Sequence, residues 1–300
     1  MGAGADAPDT DADALALTIR YSIAVDGPPR FRRQALGWLA TGAALGGVTA
    51  DQVVVQCTNA VPDAFRRTVA RAFGVEVTAL PGGGDTRGTL NKLSQLAHPA
   101  LDGDWIVLCD CDTAFAEPLP ATVFRSGIAA KLVDVGFPDL EFWTDLLGRL
   151  GLSNGQPEAR RAAKGGGVTY RNNCNGGLYV GDSGHWARIA PEWRRAADAL
   201  PTWMAAPPSW TRYYDQIAFG VACARLGLDV ELLPPRLNFP FQENPPAPLE
   251  IQPVLLHHHQ SLESGRLHCR PGHAACPGVM TAVRRVNRVL DRLDWKAFGL

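Results

Sequence analysis

The chain has 300 residues, 46% of them apolar and 20% charged, with a formal net charge of −1. Such a chain can bury a substantial core, and its balanced charge excludes a basic field that would gather nucleic acid or anionic lipid. No apolar run approaches the roughly 20 residues of a membrane span, so the chain reads as having no transmembrane segment.

Residues 17–25 begin with a β-prone stretch, and a helical pattern follows over 31–44. Val53–Cys57 is a β-branched run too short for a helix and reads as a buried strand. The next helix takes Pro62 as its first residue and stops before Gly74, with Phe65, Val69, Ala72 and Phe73 on one face. Residues 75–80 and Trp105–Cys109 are the third and fourth strands. Strands separated by helices predict an α/β fold, a mostly parallel sheet covered on both faces, with ligands bound beyond the carboxyl ends of its strands. Later residues predict a strand over 128–135, a helix over 140–150, a basic glycine-rich loop over 160–168 and a Pro/Trp-rich loop over 201–210. A helix over Tyr214–Leu226 stops at Gly227, the apolar run 254–256 leads into three histidines, and 279–293 forms a last amphipathic helix. With no repeat and no linker, residues 14–300 read as one composite domain behind a disordered tail, 1–13. The tail lacks the basic and apolar segments of a signal peptide. The odd set of seven cysteines suits free thiols in a reducing compartment, so the expectation is a cytoplasmic protein.

Asp110-Cys111-Asp112 follows an apolar strand directly. Two carboxylates in this spacing at a strand end can project towards one hard cation, Mg2+ or Mn2+; solvated strand ends carry the same pattern without a metal. Asp26 stands after the first strand, where a turn residue or a ligand contact fits equally. Residues 257 and 259 of the His257-His258-His259 run share a face if the segment is extended, so either can join a metal site.

The stretch from Trp105 to Phe115 resembles the donor-site strand of GT-A glycosyltransferases, and the resemblance continues in order along the chain. Asn91-Lys92-Leu93 looks like the family's helix beside the nucleotide, and Asn175-Gly176-Gly177-Leu178 like the Asn-x-Gly strand opening that contacts sugar. Asp215-Gln216 resembles the Asp-Gln pair of the glycogenin-like and lipopolysaccharide galactosyltransferase-like retaining enzymes, and His257 falls where they place a third metal ligand. Residues 260–265 depart from the Lys-Pro-Trp element of the glycogenin-like group.

The resemblance implies a GT-A, Rossmann-like domain with a nucleotide-binding half (14–115) and an acceptor-binding half (116–300). It implies a nucleotide-sugar donor, with UDP favoured, and a cation at Asp110, Asp112 and His257 acting as a Lewis acid on the departing diphosphate. Asp26, Asn91, Lys92, Asp110, Cys111, Asp112, Asn175, Gly176 and Gly177 would line the donor site. Asp215 and Gln216 would face the anomeric carbon or the acceptor, with retention of configuration; the bland alternative makes Asp215 a helix cap. Arg160, Arg161, Lys164 and Arg171 are expected to add positive charge near the diphosphate, and Trp203, Trp210, Tyr213 and Tyr214 offer rings for an acceptor sugar. Two other functions compete: a nucleotidyltransferase acting on sugar phosphates, for which Gly27-Pro28-Pro29-Arg30 is a thin signature, and a non-catalytic nucleotide- or sugar-binding relative.

Overall fold

A computed structural model describes residues 17–83, 90–125, 127–152, 158–162, 166–204, 210, 213–241, 250–259, 262, 264–269 and 271–300. The tail, Lys164 and Gly165 lie outside these residues. In chain order, β1 (Ile19–Val25), α1 (Pro29–Ala44), β2 (Val53–Cys57), α2 (Asp63–Phe73), β3 (Glu76–Ala79), α3 (Asn91–Gln95) and β4 (Trp105–Cys109) alternate, all but α3 as the sequence pattern predicts and α3 as the resemblance implies. Then follow β5 (Thr113–Phe115), β6 (Ile128–Leu132), α4 (Leu140–Arg149), β7 (Ala159–Arg161), β8 (Val168–Tyr170), β9 (Cys174–Asp182) and α5 (Ser183–Trp203). The chain closes with α6 (Tyr214–Leu226), β10 (Glu231–Leu232), β11 (Phe239–Pro240), β12 (Leu255–His257) and α7 (Pro277–Leu290).

Seven strands form the central sheet in the order β10-β6-β9-β4-β1-β2-β3. It is mostly parallel, and the reversed strand is β9, antiparallel to both β4 and β6. Alternate residues of β4 enter different cores. Ile106 and Leu108 pack with α4, α5 and α6, whereas Trp105, Val107 and Cys109 pack with α1 and α2. Burial on both faces explains why the strand reads as a continuous apolar run instead of an alternating one.

Strand order places the site. The chain builds β2 and β3 outward on one side of β1, then returns to lay β4 on the other side. The carboxyl ends of β1 and β4 therefore flank a topological switch point, where a crevice opens. Because β9 runs backwards, its first residues sit beside the exit of β4, with Cys109 opposite Leu178. A small three-stranded sheet, β11-β12-β5, brings a third segment to the same edge, with His257 opposite Thr113.

Several local expectations need correction. Pro62 is the N-cap of α2, which begins at Asp63. The basic stretch 160–168 contributes to a β7–β8 hairpin, with Arg160 opposite Thr169. Residues 201–203 are the last turn of α5, a helix with no counterpart in the predicted elements. Asp182 caps α5 by accepting from the His185 amide at 2.8 Å. Pro191 inside it costs about 3 kcal/mol, but each large apolar side chain buried contributes about 1.5–3 kcal/mol. Trp186, Ile189, Trp193 and Leu200 are all buried, so packing wins.

Trp193 also donates its indole N–H to the Asp215 carbonyl at 2.8 Å, tying α5 to the first turn of α6. Trp193→Ala should cost about 3–5 kcal/mol of stability by urea denaturation. A loss below ~1 kcal/mol would mean that this contact does not anchor α6.

Candidate functional site

A cavity of about 600 Å3 opens at the carboxyl ends of β1 and β4. Twelve of the residues singled out in the sequence line it: Asp26, Asn91, Lys92, Asp110, Cys111, Asp112, Asn175, Tyr213, Asp215, Gln216, His257 and His259. Gly176 and Gly177 are not among the lining residues but lie directly against them. A Cβ on Gly176 would lie 2.7 Å from the Lys92 ammonium, 3.6 Å from Asp215 and 3.7 Å from Asp110.

The Asp110-Cys111-Asp112 turn is held by backbone. The Asp110 amide donates to the Gly177 carbonyl at 3.2 Å, and both the amide and hydroxyl of Thr113 donate to the Asp110 carbonyl. Pairing of β12 with β5 then delivers the histidines, and the His258 amide donates to the Asp112 carbonyl at 2.9 Å. β12 ends at His257, and a turn at His259 brings both imidazoles to Asp112. His257 Nε2 lies 3.2 Å from Asp112 Oδ1, His259 Nδ1 lies 3.6 Å from Asp112 Oδ2, and the two rings are 3.8 Å apart. His259 holds this position with φ of +50°, a left-handed conformation uncommon for a residue with a side chain.

Asp112, His257 and His259 each offer a ligand atom within 4.8 Å of the others, the one such cluster among the described residues. A carboxylate flanked by two imidazole nitrogens suits a transition-metal ion, so the residues present fit a divalent cation. Electrostatics agree. Burial alone would raise the Asp112 carboxyl, yet its bonds and charge interactions with His257 and His259 hold it well below the usual range. Burial lowers His257, but Asp112 and then Asp110 raise it to a net upward shift. Burial and the neighbouring His257 push His259 down.

Asp110 faces another partner. Its Oδ1 lies 2.5 Å from Lys92 Nζ, while Oδ2 stands 3.9 Å from His257 Nε2. Lys92 is buried and also donates to the Gly176 carbonyl. Burial opposes its charge, but Asp110 and Asp215 raise it above its ordinary value.

Asp215 stands across the cavity in the first turn of α6. It is not the cap: Tyr213 occupies that position and makes no side-chain capping bond. Asp215 is buried, its Oδ1 has no partner, and burial together with Asp110 pushes its carboxyl up to about 7 against the pull of Lys92. At the far end, Asp26 Oδ1 accepts from the Gly27 amide at 2.7 Å and the Thr58 hydroxyl at 2.8 Å. Cys111 is a buried thiol beside Gln34 Oε1, pushed up by burial and by Asp112 and Asp110.

Other expected residues lie elsewhere. Arg160 pairs with Glu158, Arg171 with Glu158 and Asp229, and Arg161 donates to the Gly166 carbonyl; none of the three lines the cavity. Tyr213 lines it, whereas Trp210 packs on Phe137 and Phe142, Trp203 lies under Arg225, and Tyr214 is in the core. Sequence reasoning passed over Gln34, Gln95 and Asn238, none of which carries a motif. The amide of Gln34, from α1, donates to the His259 carbonyl and fixes the strained residue.

Gly177 leaves room for two buried groups at once. A Cβ there would lie 2.6 Å from both His257 Nδ1 and Asn238 Oδ1. Gly177→Ala should therefore lower stability by about 1–3 kcal/mol in thermal denaturation and weaken Mn2+ binding. A variant that matches the parent in both would show that the pocket yields freely.

No known family's model matches the sequence, and no curated protein matches it. Among solved structures, the apo form of WbbM, a bifunctional glycosyltransferase, matches 94% of this chain with a TM-score of 0.53 and 12% identity. The chain spans 51% of that protein's length. At this identity the likeness concerns the fold: an α/β, Rossmann-like glycosyltransferase fold with a mostly parallel sheet flanked by helices. Among the described residues, no helix is long and apolar enough to cross a membrane.

Proposed function

We propose that this chain is a metal-dependent GT-A glycosyltransferase of one composite domain, moving a sugar from a nucleotide-diphosphate donor to an acceptor, with retention. One observation carries the reading: a single cavity at the switch point is lined by a metal-type cluster and by Asp215, a buried carboxylate with one oxygen left without a partner. The likeness of fold to a glycosyltransferase supports it. A divalent cation held by Asp112 and His257, with His259 and Asp110 beside them, would supply Lewis-acid stabilisation to the diphosphate as the anomeric bond breaks. Lys92 adds a fixed positive charge at the same place, in a setting dry enough to strengthen it. Asp215, once ionised, presents negative charge where an oxocarbenium-like centre develops, and Gln216 beside it offers hydrogen bonds to sugar or acceptor. Asp26 and Asn91 hold the nucleoside end. All seven cysteines are free thiols, which supports a reducing, cytoplasmic setting.

The donor set narrows the cation. Mg2+ prefers oxygen ligands, and two imidazole nitrogens beside one carboxylate favour a transition metal, hence Mn2+ over Mg2+. Thermal shift with UDP, GDP and dTDP, each with Mn2+, Mg2+ or chelator, tests the whole reading. A nucleotide-selective stabilisation that needs Mn2+ and is weaker with Mg2+ is expected, with UDP favoured. No shift with any pair in folded protein would overturn it in favour of a non-catalytic role.

A further inference from the structure

From the cavity wall at Asn175 runs a polar chain, buried at Lys131 and Asn238 and half-buried at Asp134 and Asn175, outside the residues assigned above to catalysis. Lys131 pairs with Asp134 Oδ1, and Asp134 Oδ2 accepts from Asn175 Nδ2 at 3.2 Å. Asn175 Oδ1 accepts from the Gly177 amide at 2.9 Å and from Asn238 Nδ2 at 3.0 Å. These contacts settle which way both amides point, because Gly177 N–H can only donate and an ionised Asp134 can only accept. Asn238 therefore gives its NH2 to Asn175 and turns its carbonyl oxygen the other way.

That oxygen and His257 Nδ1 border the same point above Gly177. Asn238 is fully buried and His257 nearly so, and Asn238 Oδ1 and His257 Nδ1 are both buried without a partner. Each lies 2.6 Å from the same point above Gly177, so they are separated by no more than twice that distance. Leaving a buried donor or acceptor unpaired costs about 1–3 kcal/mol each. The two orphans are complementary if the imidazole carries its proton on Nδ1. In that tautomer the lone pair is on Nε2, available to a cation held between it and Asp112, 3.2 Å away; without a cation Nε2–H donates to Asp112 instead.

Resting on the cation reading above, we propose that Asn238 is a positioning residue: it accepts the His257 Nδ1 proton, fixes the metal-ligating tautomer, and couples the cation site to the sugar-facing amide of Asn175. Lys131 and Asp134 are the far anchor of the same chain. Metal-bound histidines are held by such outer partners, whose removal costs about 10–100-fold in metal affinity. The second contact of Asn238 also keeps Asn175, which lines the cavity, from rotating.

Two substitutions separate the two contacts. Asn238→Leu keeps the branched shape and removes both. Asn238→Asp keeps an acceptor for His257 but cannot donate to Asn175. Mn2+ titration of metal-free protein, followed by electron paramagnetic resonance without nucleotide, should show affinity reduced about 10–100-fold in Asn238→Leu and retained in Asn238→Asp. The Asp variant should still lose kcat for sugar transfer, because Asn175 is released. Unchanged Mn2+ affinity in folded Asn238→Leu overturns the inference, as does an equal loss in Asn238→Asp. Nitrogen-15 histidine spectra of the parent at alkaline pH give a check that needs no folded Asn238 variant. With diamagnetic Zn2+ bound, the His257 signal, assigned by its loss in His257→Gln, should report Nδ1–H, and a proton on Nε2 overturns the inference. A parent that binds no more Mn2+ than Asp112→Asn would instead bring down the cation reading itself.

Discussion

Asp112→Asn is expected to abolish Mn2+ binding in the micromolar range and to lower sugar transfer roughly 10³-fold, equivalent to about 4 kcal/mol of transition-state stabilisation. Asparagine keeps the shape and one acceptor oxygen but loses the charge. His257 and His259 both converge on this carboxylate, at 3.2 and 3.6 Å, so its neutralisation leaves two imidazoles crowded together with no anion between them. Asp110 does not substitute for it, because one of its oxygens is committed to Lys92 at 2.5 Å. The variant should also be less stable than the parent in metal-free buffer at neutral pH. A carboxyl held below its unfolded value contributes stability above that value and loses it as pH falls through the folded pKa, so the deficit should shrink on acidification. Donor turnover within tenfold of the parent, measured with Mn2+ present, would remove Asp112 from the cation site.

How much of this could be read from residue order follows from where each group gets its partner. Asp110 and Asp112 are legible because β4 is buried on both faces and ends abruptly in charge. Lys92, Asn175 and Asp215 were expected through resemblance, and the fold brings all three into one cavity. The choice between His257 and His259 stays open in sequence, because strand alternation gives both the same face; in the fold both reach Asp112. Arg160 and Arg171 look available for a diphosphate until the fold brings Glu158 and Asp229 to them. α5 went unseen because Pro191 and Pro201 interrupt a stretch whose true signal is the Trp186, Ile189, Trp193, Leu200 stripe. The Asn238–Asn175 and Gln34–His259 hydrogen bonds each span more than 60 residues of chain, and no local pattern marks either residue.

Asp215→Asn should have an opposite signature, less active but more stable. Removing the carboxylate deprives a developing positive centre of its counter-charge, and a loss of about 10²–10⁴ in kcat is expected, with donor affinity little changed. Stability should move the other way. The Asp215 carboxyl is pushed up to about 7 by burial and by Asp110. A group raised above its unfolded value stabilises most when both states are protonated, and that contribution is lost as pH rises towards the folded pKa. Between roughly pH 4 and 7 the parent thus loses stability that the asparagine variant keeps, and above about 7 the difference levels off. Melting temperatures in chelator should coincide near pH 4 and diverge in favour of the variant towards pH 8. A parallel pair of curves would mean that Asp215 is ionised at no cost in the folded protein. The same burial that makes the carboxylate expensive withdraws water from it, so its charge acts at full strength on a bound sugar. A residue kept only to cap α6 would show neither the stability gain nor the loss of turnover.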